Sequence, residues 1–418
     1  MRLTKSPLLR AVAAFAMVAV VSAPAAMAQQ PLNFLPQSDN DFGATALVPS
    51  MGQKARAVPR DAAAMSWALE ADKALDLSYA PHVGTSKQYF VDVTVDDLAK
   101  GVPVFTHAPG ALIRINPVDP AKMAAIDPSA VRIVTADKRT LTTAEAADQL
   151  ASPAQLKAAG APFAPGTLAF RLRAELGAGT FHVSIPALSG DTKEPGYVVH
   201  VFDRNSPVTL SLGADRTDYL HGETLGFTAR LAGADKLSVA AIDGFVTSPA
   251  GRAWPVTFTA GNGAFHATLP LDAVEAPTPG LWEVHVAIQG EADGVAVRRF
   301  ERVAFGAALP TARFDGSAEL VSKGRMAVRF GIEAASPSRF EVRGVLYGTA
   351  RNGAILPVAV GHSATWIEAG RGEIVLGFDA KTLTESGLRA PFEIRDLRLM
   401  DQGTMGLLHR QARGLVID

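Results

Sequence analysis

From Lys87 to the C-terminus the chain is written in short runs rich in β-branched and aromatic residues, cut at close intervals by Pro and Gly. That rhythm predicts antiparallel sandwiches and argues against alternating strand and helix, because a helix needs a run of about ten residues between breakers to bury a face. The fold class is therefore mainly β: tandem antiparallel β-sandwich domains of immunoglobulin-like type, with one small helical insertion. A chain of 418 residues is too long for a single hydrophobic core, so several domains are expected. Apolar residues make up 48% of it, enough for each domain to bury its own core.

The first 28 residues stand apart. Arg2, Lys5 and Arg10 precede the apolar stretch AVAAFAMVAVVSAPAAMA, which ends at Ala26-Met27-Ala28. Basic start, apolar middle and a small-residue A-x-A end are the parts of a secretory signal peptide, with cleavage expected after Ala28. The expected location is the periplasm or the medium. The chain has no cysteine, which excludes a lipoprotein anchor, thiol nucleophiles, disulfides and Cys-based metal sites. No later stretch is long and apolar enough to span a membrane, so no membrane insertion is expected after cleavage.

Residues 29–80 read as an N-terminal tether or irregular strap, rich in Gln, Pro, Ser and Gly up to Pro59, then a loosely patterned helix over 61–79 starting at Asp61. Residues 81–205 form a mostly β domain whose strands include QYFVDVTV, GALIRINPV and YVVHVF. Its insertion, 143–160, is expected to be helical, with Thr143 as N-cap, Gly160 as C-cap and Pro153 splitting it. Asn205-Ser206-Pro207 opens a second domain, 206–308, where seven strand candidates recur at roughly 8–12-residue spacing. In LWEVHVAI the alternation assigns Trp282, Val284, Val286 and Ile288 to the core and Glu283, His285 and Ala287 to the outer face. A third β domain, 309–418, follows the joint at Gly306–Pro310. Asp272-Ala273 leading to Pro279 and Trp282 is echoed by Asp379-Ala380 leading to Pro391 and Phe392, which suggests tandem domains of related architecture.

Two resemblances follow from specific residues. TDYLHGETLGFTARL (217–231), SPAGRAW (248–254), GNGAFHATLPL (261–271) and PGLWEVHVAI (279–288) resemble the macroglobulin-like and related immunoglobulin-like modules of exported bacterial proteins. These are turn and core residues, so the likeness implies a fold and no activity; the thioester of macroglobulins needs a cysteine, which is lacking. The whole chain, through QYFVDVTVDDLAKGVPVFTHAPGALIRINP (88–117), YVVHVFDRNSPVTLSL (197–212) and APFEIRDLRLMD (390–401), is similar to an uncharacterised family of exported bacterial proteins, which supplies no site residues.

The search for chemistry yields no complete constellation. There is no H-E-x-x-H, no phosphate-binding G-x-x-x-x-G-K-[ST], and Gly177-Ala178-Gly179 lacks the third glycine of a dinucleotide loop. Gly361-His362-Ser363-Ala364-Thr365 reproduces most of a nucleophile elbow but ends in Thr where the closing glycine belongs, and Ser363 reads as an ordinary turn residue. His266 and His285 are candidates for a surface metal or pH-sensitive patch but lack an identifiable carboxylate partner. Asp92, Asp96 and Asp97, and separately Asp215, Asp218 and Glu223, lie in turn-rich stretches that suit capping better than Ca²⁺, while leaving weak Ca²⁺ binding open. Trp254, Trp282 and Trp366 raise the idea of a sugar-stacking platform, against which Trp282 falls on the core face.

Forty Lys and Arg against 41 Asp and Glu are spread evenly, and no stretch is basic enough to hold a phosphate backbone. Nucleic acid is an unfavourable partner. No catalytic, cofactor-binding or metal-ligating residues are assigned, and the reading favours a non-enzymatic scaffold that binds another exported or envelope protein. The competing readings are a secreted hydrolase or its accessory module acting on polysaccharide or peptide, and a calcium-stabilised adhesion module.

Overall fold

A computed structural model describes residues 30–50, 58–73, 75–77, 79–188, 194–271, 280–322 and 326–418. The expected signal peptide and the Asp272–Pro279 part of the internal repeat lie outside these residues. The rest is three packed pairs of sheets, each enclosing its own apolar core.

In the first module a five-stranded sheet (Gln88–Val93, Leu112–Pro117, Ala147–Ala151, Leu168–Leu172 and Tyr197–Phe202) packs on a four-stranded one. Strict alternation drives this: in Leu168–Leu172 the residues Leu168, Phe170 and Leu172 are buried while Ala169 and Arg171 are not. The insertion expected to be helical is only partly so. Thr143–Ala146 and Pro153–Ala158 are short helices, but Ala147–Ala151 between them is a strand that pairs with Leu168–Leu172. The cap is Thr142, which forms a capping box with Glu145, and Ser152 caps the second helix with Gln155. Pro153 sits at the start of that helix, where its missing N–H costs nothing, and Gly160 takes the left-handed turn beyond it at φ +62°.

The middle module is a sandwich of two five-stranded sheets. Asn262-Gly263 and Asp293-Gly294, all with positive φ, make the two-residue turns whose twist suits hairpins and thereby fix the register of Ala264–Pro270 and Val295–Ala308. Trp282 is completely buried with Val284 and Val286, as the alternation predicts. Val83–Ser86, which precedes the first module in sequence, pairs with Thr209–Ala214 of this one.

The C-terminal module combines a four-stranded and a six-stranded sheet. Here the expectation of a tether over 29–80 is corrected, because three pieces of that segment are strands of this module. Gln30–Leu32 pairs with Ala312–Ser322, Phe42–Gly43 with Gly406–Ile417, and Ala63–Ala68 with Ile355–Ile367. The last of these lies where a helix was expected. Its alanines favour helix intrinsically, but the loose apolar spacing gives a helix no single face to bury, whereas the sheet supplies a full backbone ladder.

Candidate functional site

A cleft of about 930 Å³ opens between the outer faces of the first and middle modules. On the first module's side Phe90, His200 and Arg114 stand in register on three adjacent strands, so their side chains share one face. Opposite them, Phe245, His285 and Arg302 form a matching row on the middle module. The walls meet where the Phe90 and Phe300 rings lie 4.3 Å apart between centroids, and Phe245 stacks flat on His285 at 4.6 Å. Phe90 and Phe245, on the two facing walls, remain about two-fifths exposed, unusual for large apolar side chains.

The cleft is electrostatically unbalanced. Among the described residues Arg114 has neither an ion pair nor a hydrogen bond; its guanidinium lies 4.9 Å over the Phe163 ring, and its Nε is buried without a partner. Burial lowers its pKa. Arg298 is held over the Phe105 ring at 5.4 Å and likewise lacks a carboxylate. His200 shares a hydrogen bond of 2.8 Å with Gln88, and burial, aided by the Arg114 charge, pushes it down to about 4, so it is neutral at ordinary pH. Arg302 is drawn off toward Glu283 at 3.3 Å, and the Glu301 carboxylate, pushed up by burial, accepts from the Arg302 N–H at 2.8 Å.

Beneath the cleft a buried ion pair joins the two modules. Arg299 donates to Asp203 Oδ2 at 3.3 Å, to Ser206 Oγ at 2.9 Å and to the Val208 carbonyl at 3.1 Å, with both charged side chains almost wholly inaccessible. Asp203 also accepts from the His107 backbone N–H at 2.7 Å. Tyr89 packs beside it, and burial pushes its hydroxyl up to about 12. The two walls are thus fixed relative to each other.

The residues singled out from sequence are dispersed. Ser363 is buried within a regular strand, opposite Val342 and Ala64, with no strand-to-helix turn around it. His266 and His285 belong to opposite sheets of the middle sandwich; His266 bonds Thr228 at 3.0 Å, and His285 lies 3.1 Å from Thr247 and 3.3 Å from Glu283. Thr94 is the N-cap of a short helix and Asp97 completes its capping box, Asp96 pairs with Lys100, and Asp92 lines the cleft. Glu223 accepts from the Leu220 N–H and pairs with Arg216, while Asp218 is half-buried and accepts from the Tyr79 hydroxyl. Burial raises the Asp218 pKa. Among the described residues no group of three His, Asp or Glu is gathered as a metal ion requires. The tryptophans share no surface: Trp254 stacks on buried Trp282 at 5.5 Å, and Arg60 covers Trp366 in another module.

Sequence reading passed over Arg114 and His200. Their signal was a polar residue inside an apolar strand, GALIRINP and YVVHVF, at positions alternation sends outward. Nothing in one strand tells that two such positions adjoin, or that another module faces them.

Residues 54–203 match the N-terminal domain, and residues 311–418 the C-terminal domain, of a family described as a domain of unknown function, DUF4785. The crystal structure of a DUF4785 family protein from Legionella pneumophila subsp. pneumophila str. Philadelphia 1 superposes with a TM-score of 0.71 at 21% identity, over 90% of this chain and 98% of that one. Salmonella alpha-2-macroglobulin reacted with methylamine reaches a TM-score of only 0.20 at 12% identity, over 81% of this chain and 24% of that one. The C-terminal globular domain of an oligosaccharyltransferase from Pyrococcus abyssi reaches 0.14 at 7% identity, over 61% of each chain. No curated protein matches. With both terminal domains matched and the same fold along nearly its whole length, the chain belongs to the DUF4785 family.

Proposed function

We propose that this is an exported, non-enzymatic protein of the periplasm or the medium that binds an acidic, aromatic- or aliphatic-bearing segment of another exported or envelope protein in the cleft between its first and middle modules. One observation carries the reading: among the described residues Arg114 and Arg298 have no carboxylate partners beside the exposed rings of Phe90 and Phe245. An unpaired, partly desolvated guanidinium is costly alone and becomes favourable when a carboxylate docks against it, while the rings supply apolar area and the fixed walls avoid a reorganisation cost. The signal peptide supports export.

A photoreactive residue in place of Phe90 or Phe245, in cells producing the full chain, tests this. The expected result is an adduct with one exported or envelope protein that is absent when the probe replaces exposed Val375. Arg114→Glu should reduce the adduct at least tenfold, the loss of about one charge-assisted hydrogen bond. Adduct formation indifferent to Arg114→Glu, or equal at Val375, overturns the reading.

A further inference from the structure

The strand Ala63–Ala68 ends the six-stranded sheet, paired on one side with Ile355–Ile367 and, among the described residues, with no strand on the other. Five of its six residues are exposed, Met65 at 54% and Trp67 at 49%. Soluble proteins guard such edges with Lys, Pro, bulges or inward charges, because bare backbone groups invite another strand. Ala-Ala-Met-Ser-Trp-Ala has none of these guards. Trp67 is held edge-on against His362 at 5.3 Å, which fixes its ring on the outer face of the sheet.

The chemistry around this edge is complementary to itself. A two-fold axis perpendicular to the sheet keeps each side chain on its own face, so an antiparallel second copy can only bring positions of equal parity together. With Ser66 opposite Ser66, Met65 faces Trp67 of the second copy, a contact that thioether and indole favour, and Ala64 faces Ala68. The flanking charges are engaged within the chain: Arg60 rests on the Trp366 ring at 4.3 Å, and Glu70 is taken by Lys73 at 2.7 Å in the turn that follows the strand. The uncharged strand itself therefore offers no repulsion to its copy.

We propose that two copies of the chain pair edge to edge through Ala63–Ala68, about a two-fold axis at Ser66, into one continuous sheet. The interface is small, so the dimer is a weak one that forms with rising concentration.

The absence of cysteine makes the test direct, since Ser66→Cys places the only thiol of the chain on the axis. Sedimentation of the mature wild-type chain should show a monomer–dimer equilibrium. Oxidised Ser66→Cys should become a covalent dimer, while Val375→Cys, exposed on the other sheet, should not. Trp67→Lys should weaken association by roughly tenfold or more, because both copies lose a cross-strand pair and gain like charges at the edge. Circular dichroism and melting of Trp67→Lys report whether the fold is kept. A wild type that stays monomeric at the highest soluble concentration, or a Ser66→Cys chain that crosslinks no faster than Val375→Cys, overturns the proposal.

Discussion

Arg299 reaches across to Asp203 of the first module, and its guanidinium is otherwise satisfied within its own module by Ser206 and by the Val208 and Arg298 carbonyls. Removing one member of so buried a pair strands the other charge away from water. Arg299→Met should therefore destabilise the folded chain by about 3 kcal/mol, and a second change, Asp203→Leu, should recover much of that; urea unfolding of the two variants checks both. Two histidines set a pH limit on stability. His200 and His409 are each pushed down to about 4, burial being the larger cause in both. The unfolded chain takes up these protons near pH 6.5 and the folded one only near 4, so the stabilisation is complete above pH 6.5 and is lost as pH falls toward 4. Melting temperature followed from pH 7.5 to 4 should decline across that window, and the decline should be shallower in His200→Gln/His409→Gln.

The elements show which parts of the fold were legible. Leu281–Ala292 was plain because its alternation is unbroken: Trp282, Val284, Val286 and Ile288 are buried, and His285 faces the cleft. Ser363 illustrates a motif defeated by context, since a sharp turn was required and the backbone is extended on both sides. Ala63–Ala68 was misjudged because its alanines say helix, and its strand state depends on Ile355–Ile367, nearly three hundred positions away. The cleft was the least legible feature. Arg114, His200 and Phe245 each occupy an ordinary outward position on a strand, and only the docking of two modules turns three such positions into a site.

At the scale of the whole molecule, the three modules are not beads on a string. Residues 30–68 supply edge strands to both sheets of the C-terminal module, and Tyr79 reaches Asp218 of the middle module while Arg410 lies over its ring. A chain beginning at residue 81 should consequently lose the stability of the C-terminal module and not merely a tail; thermal unfolding should show that module melting earlier or aggregating, and residues 309–418 alone should fail to fold. The strand Gln30–Leu32 also has a consequence in time. Its partner, Ala312–Ser322, emerges from the ribosome after more than two-thirds of the chain has been made. Gln30–Leu32 must therefore wait for its partner until the C-terminal module has been made, and folding is completed by a closing stitch between segments nearly three hundred positions apart.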